Sequence, residues 1–158
     1  MLFRSPWDLP SQKVGLTAGQ PRHDAQALRQ RLRLPLPPER TVMVAFGGLG
    51  LSLDPALLDR WPNHHFLVSE SALAAAGNAT LIPPDLRPLE VLPLCGRVIT
   101  KPGYSTFCEA LSRDVGIQLV QRHGFAEAPV LEAYLQRHGW HRLLTRTQLE
   151  AGDWQLDQ

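Results

Sequence analysis

No apolar run in the 158-residue chain approaches the roughly 20 residues needed to cross a bilayer. The start, Met1-Leu2-Phe3-Arg4-Ser5-Pro6, lacks the long apolar stretch of a secretory signal. Cysteine is scarce: Cys95 and Cys108 are the only two, and they fit neither a metal spacing nor a disulfide framework. They read as reduced thiols, and these absences together set the expectation of a cytoplasmic chain without a transmembrane segment. Net charge is nearly absent too. A formal +1 gives no global basic field, so no nucleic-acid partner is expected.

Several chemical signatures are also missing. There is no glycine, four residues, then Gly-Lys-Ser/Thr, so the P-loop is excluded, and Gly-x-Gly-x-x-Gly does not occur. No His-Glu-x-x-His appears among the six histidines, so no metal site is expected. His64 and His65 are adjacent and would point to opposite faces of a strand. His138 and His141 straddle Gly139, and His123 reads as a solvated loop residue. Neither a Ser-His-Asp order nor a Gly-x-Ser-x-Gly elbow is visible. The four tryptophans, Trp7, Trp61, Trp140 and Trp154, read as packing residues.

What is present is an ordinary globular balance, 44% hydrophobic and 20% charged, at a length suited to one domain. Twelve glycines and fourteen prolines suit an α/β fold with many short loops better than a helical bundle. Charge is unevenly placed: residues 1–40 hold seven Lys/Arg against three Asp/Glu, and the remainder nine against twelve. Residues 1–21, broken by Pro6, Pro10, Gly15, Gly19 and Pro21, read as an irregular arm or linker, and 22–158 as a single domain.

Within that domain, strand and helix patterns alternate. Asp24 to Leu34 is an amphipathic helix capped by His23 or Asp24. Thr41–Phe46 is apolar on both faces, the mark of a central parallel strand. A helix capped by Asp54 should run to Trp61, followed by a strand at His65–Val68. A short helix from Ser71 to Ala76 precedes a strand at Ala79–Ile82, and Leu86–Leu94 is weakly helical. Arg97–Thr100 is a strand, Gly103–Ser112 a helix, Gly116–Val120 a strand. Glu127–His138 is a helix closed by Gly139, Trp140–Leu144 a last strand, and Thr147-x-x-Glu150 a capping box for a final helix. The alternation predicts right-handed β-α-β units: a Rossmann-like three-layer α/β/α fold with a mostly parallel sheet.

Ligands bind such sheets at the carboxyl ends of the strands. Two strand ends carry glycine-rich turns, Phe46-Gly47-Gly48-Leu49-Gly50 and Lys101-Pro102-Gly103-Tyr104-Ser105-Thr106. Such turns let backbone N–H groups approach an anion where the helix dipole adds positive charge. Each also reads as a plain β-to-α connection. Glu109 lies one turn inside the second helix, on the face of Ser105. It could accept from two vicinal hydroxyls, as on a ribose, or close a capping box, Thr106-x-x-Glu109, with the backbone. Glu127 opens the next helix, as a second site carboxylate or as an acid serving the helix dipole.

Val98-Ile99-Thr100-Lys101-Pro102-Gly103-Tyr104-Ser105-Thr106-Phe107-Cys108-Glu109-Ala110-Leu111 resembles the nucleotide-sugar signature of GT-B glycosyltransferases. The similarity is to the bacterial N-acetylglucosaminyl transferase of peptidoglycan lipid synthesis and to the glycosyltransferase-like part of plant L-arabinokinases. Val44 to Gly50 resembles their glycine-rich loop. Arg122-x-x-Phe125-x-Glu127 and Leu149-x-x-Gly152-x-Trp154 resemble the arabinokinase-type subgroup. The match covers roughly residues 40–154.

The resemblance implies the C-terminal, donor-binding half of a two-domain enzyme. Its glutamate, matching Glu109, binds the ribose hydroxyls of a UDP-sugar. Residues matching Gly103, Tyr104, Ser105 and Thr106 lie at the diphosphate, and Lys101 is expected among the nucleotide-sugar-binding residues. The loop matching Gly47, Gly48 and Gly50 faces an interdomain cleft, and Glu127 approaches the sugar. Relatives follow that acid with glutamine, whereas Ala128 stands here, which leaves the sugar undefined. No cofactor or bound metal is implied beyond the UDP-sugar itself. The partner implied is an acceptor domain, in cis or as a separate chain, which supplies the catalytic base. Without it, little or no transfer is expected. The alternative is a non-catalytic Rossmann-like interaction module or split-transferase subunit, which would expose an apolar patch to its partner.

Overall fold

A computed structural model describes residues 15–46 and 53–157. Six strands form one sheet: β1 (Thr41–Ala45), β2 (His65–Val68), β3 (Ala79–Leu81), β4 (Arg97–Thr100), β5 (Gly116–Val120) and β6 (His141–Leu144). Every pairing is parallel, in the order β3-β2-β1-β4-β5-β6. β1, β2 and β5 are buried along their whole lengths, because both faces of a parallel sheet are covered by helices. That is the Rossmann-like α/β architecture the alternation predicts.

The helices are α1 (Ala25–Arg31), α2 (Ala56–Asp59), α3 (Pro88–Val91), α4 (Tyr104–Leu111), α5 (Ala128–Leu135) and α6 (Arg146–Ala151). The alternating side chains of the strands divide the core in two. Met43, Leu67, Val98, Ile117 and Leu119 face one layer, where Leu28 of α1, Val91 of α3, Phe107 of α4 and Leu131 of α5 meet them. Val42, Val44, Phe66 and Ile99 face the other, beneath Leu58 of α2, Leu149 of α6 and the wholly buried Trp154. Among the described residues, no helix is long and apolar enough to cross a membrane. Cys95 and Cys108 are buried free thiols.

The structure revises several element boundaries. Asp24, not His23, caps α1, its Oδ1 accepting from the Ala27 N–H at 2.8 Å. The helix after Asp54 is a single turn, ending at Asp59. The Ser71–Ala76 segment keeps only a 3-10 turn, Leu73–Ala75, and Leu86–Leu94 splits into α3 and a 3-10 turn at Leu92–Leu94. Pro93 cannot donate to the α-helical ladder, which accounts for the split. α5 ends at Leu135, and Gly139 lies beyond it in a left-handed turn (φ 81°), where a Cβ would meet Leu111 Cδ2 at 2.7 Å. The capping box of α6 is formed by Thr145 and Gln148, not Thr147 and Glu150; Glu150 pairs with Arg146 instead. Trp140 is not a packing residue, being 81% exposed. Trp7 lies outside the described residues.

Candidate functional site

From β1 the chain moves outward to β2 and β3, then returns to the other flank of β1 to form β4. Strand order therefore reverses between β1 and β4, and the crevice at their carboxyl ends is where open α/β sheets take ligands. The two strands finish in register: Ala45 pairs with Thr100, and the Thr100 hydroxyl donates to the Ala45 carbonyl at 2.8 Å. The segment bearing Gly47, Gly48 and Gly50 lies outside the described residues. Lys101 to Thr106 leaves β4 directly beside the end of β1.

At that end, Gly103 is the N-cap of α4, in extended conformation (φ −172°), and as glycine it brings no side chain of its own to cap the helix. By contrast, Asp24 caps α1 and Thr145 caps α6. The first-turn N–H groups of Tyr104, Ser105 and Thr106 have no intrahelical acceptor by the geometry of a helix start. Among the described residues, a Cβ on Gly103 would meet nothing nearer than the Lys101 carbonyl at 4.0 Å. Lys101 stands at the same turn. Partial burial, and then the neighbouring charge of Arg122, lower its pKa. The Arg122 guanidinium lies 4.7 Å from the centroid of Phe125. Cationic groups from the ends of β4 and β5, Lys101 and Arg122, are thus close enough to feel each other's charge.

Glu109 is half-buried on α4. With Gly103 as N-cap, Thr106 sits inside the first turn, so the capping-box reading of Thr106 and Glu109 fails. Burial raises the Glu109 pKa, opposed by the charges of Arg113 and Arg87. Ser105 is exposed, four residues before it. The N-terminal segment runs beside this carboxylate: a Cβ built on Gly19 would stand 3.5 Å from Glu109 Oε1. Arg113 ties the two together, donating to the Glu109 backbone carbonyl at 2.9 Å and to the Gly19 carbonyl at 2.7 Å.

The sequence matches no known family model and no curated protein. Solved structures do resemble it. The glycotransferase of kitacinnamycin superposes with a TM-score of 0.53 at 18% identity, over 74% of this chain and 34% of its own. CalG4, the calicheamicin glycosyltransferase, gives 0.52 at 19% identity, over 78% and 34%. The glycosyltransferase SnogD from Streptomyces nogalater gives 0.52 at 20% identity, over 97% and 44%. The chain has a GT-B C-terminal-like fold. It spans between 34% and 44% of the length of these glycosyltransferases.

In this GT-B-like domain, Lys101, Gly103, Tyr104, Ser105, Thr106 and Glu109 lie together on one turn and one helix. Glu127 lies apart, as the N-cap of α5, its carbonyl accepting from the Leu131 N–H at 3.0 Å. Beside it, a cavity of about 490 Å³ is lined by Gln121 to Ala126, Pro129 and Glu132, with Arg122 and His123 exposed at its mouth. A second cavity, of about 440 Å³ around Trp61 and His64, opens at the amino ends of the strands, away from the GT-B-like crevice. Among the described residues no cluster of three or more His, Cys, Asp or Glu could hold a metal ion. Sequence reasoning missed Arg113 and Gly19 as neighbours of Glu109. They are brought together across 94 positions of sequence, a separation no local pattern reveals.

Proposed function

We propose that the domain binds the nucleotide part of a nucleotide-sugar, the donor half of a glycosyltransferase site. The observation that carries this reading is the Gly103-started N-terminus of α4 at the strand-order reversal, with Lys101 in the turn before it and Glu109 further along the same helix. The backbone N–H groups of Tyr104, Ser105 and Thr106 suit the oxygens of a diphosphate, and the helix dipole adds to their attraction. Lys101 supplies positive charge on the same side. Glu109 is placed to accept from ribose hydroxyls, with uridine as the expected nucleoside. The solved glycosyltransferases of like fold support the class of reaction.

In transfer, the bond between the anomeric carbon and the diphosphate oxygen breaks. A bond to an acceptor hydroxyl oxygen forms, and that hydroxyl's proton passes to a base. This chain's contribution is to hold the leaving diphosphate on preorganised backbone dipoles as its charge grows. The base and the acceptor site belong to an acceptor domain, in cis or in trans. The interaction-module reading calls for an exposed apolar patch. Among the described residues the exposed large hydrophobics are Leu81 and Trp140, which sit by opposite edge strands of the sheet.

Calorimetric titration with UDP tests the proposal. The chain is expected to bind UDP saturably, and Glu109→Gln to weaken binding about tenfold, the worth of one hydrogen bond to a charged group. Undiminished affinity in Glu109→Gln would remove the ribose role.

A further inference from the structure

Residues 16–23 lie across α3 and α4 as a strap. Leu16 and Ala18 pack on the core layer beneath these helices. The Thr17 N–H donates to the Tyr104 hydroxyl at 3.3 Å, and the two hydroxyls of Thr17 and Tyr104 stand 3.4 Å apart. The Gly19 carbonyl accepts from Arg113 and the Gln20 carbonyl from Arg87, at 2.7 and 3.3 Å. Downstream, the buried Glu90 carboxylate accepts from the N–H groups of Arg22 and His23, at 2.7 and 3.3 Å. The strap is therefore fastened at both ends of the stretch that passes Glu109.

Gly19 marks the closest approach. A Cβ there would meet Leu89 Cδ2 at 2.7 Å and Glu109 Oε1 at 3.5 Å, so a side chain must displace either the Leu89 side chain or the strap and stands in contact with the carboxylate. Gly15, just before the strap, has no described residue within 4 Å of its would-be Cβ. Arg113 joins strap to helix at this point, one nitrogen on the Glu109 carbonyl and the other on Gly19. Tyr104, in the first turn of α4, is bound by the strap on the same helix.

We propose that this strap is one wall of the ribose subsite, and that Gly19 and Arg113 are positioning residues that keep the strap against α4 beside the Glu109 carboxylate. The inference rests on the donor-binding reading and adds to it a segment that the two glycine-rich turns do not include. A carboxylate walled on one side by the strap is left with its open side as the direction of approach for a ligand. Discrimination for vicinal hydroxyls then depends on the strap, and not on Glu109 alone.

The test compares UDP with 2′-deoxy-UDP on the full 158-residue chain. The wild-type chain is expected to prefer UDP by about tenfold. Gly19→Ala and Arg113→Ala should each reduce that preference to about twofold or less, while Gly15→Ala leaves it intact. Arg113→Lys, which retains a donor for one of the two carbonyls, should fall between. Loss of folding would appear as loss of binding to both nucleotides; a loosened wall appears as loss of the preference alone. If Arg113→Ala does not fold, Gly19→Ala and Arg113→Lys carry the test. A wild-type preference that survives Gly19→Ala and Arg113→Lys overturns the strap's role and leaves the donor reading standing. A wild-type chain that binds UDP without preferring it to the deoxy form overturns the ribose role of Glu109 itself.

Discussion

Glu90 and Glu109 show how far the same side chain can be driven in opposite directions. Burial pushes both carboxyls toward the neutral form. At Glu90, hydrogen bonds from Arg87, the Arg22 N–H and His23 overcome it and bring the pKa down from 4.5 to about 2. At Glu109 no described residue donates a hydrogen bond to the carboxylate, the charges of Arg113 and Arg87 do not offset burial, and the pKa rises. One is a satisfied fastener and the other has acceptor capacity to spare, as a ligand residue requires. A pH prediction follows for the fastener. The unfolded chain binds the Glu90 proton at higher pH than the folded chain does. Its stabilising effect is thus complete above the unfolded value of 4.5 and is lost as pH falls toward about 2. Thermal unfolding from pH 6 down to about 2 should show a fall in Tm that Glu90→Gln makes shallower; an unchanged slope would remove Glu90 from the account.

The elements most legible in the sequence were the strands. β2 and β4 fall where the sequence places them, around the apolar residues Phe66, Leu67 and Val68 and around Val98 and Ile99, because a parallel strand covered on both faces is apolar on both at its centre. Helix ends were less legible, since several residues compete for each cap. The run Thr145-Arg146-Thr147-Gln148-Leu149-Glu150 contains two overlapping capping boxes. The choice falls to Thr145 because Leu144 is still paired with Val120 in the sheet, which places the first free position at Thr145. The same ambiguity surrounded Glu109, and only the position of Gly103 removed the capping-box reading. Thr145→Ala should lower stability by about 1 kcal/mol, measured by denaturant unfolding, with Thr147→Ala costing distinctly less. Equal losses would contradict the assignment of the cap.

At the scale of the whole molecule, the sheet order is what turns scattered residues into a site. Nothing local to Lys101–Glu109 says that it emerges beside the end of β1; the return of the chain from β3 to β4 does. The order also separates the crevice at the carboxyl ends from the cavity around Trp61 and His64 at the amino ends. The strap was not legible at all, since its partners lie 67 to 94 positions away. The most direct measurement is an amide NMR titration of the chain with UDP. The account predicts saturable shifts confined to Lys101–Thr106, Glu109 and the strap, with the amino-end residues around His64 unmoved. No saturable shift at millimolar UDP, or shifts gathered around Trp61 and His64 instead, would contradict it.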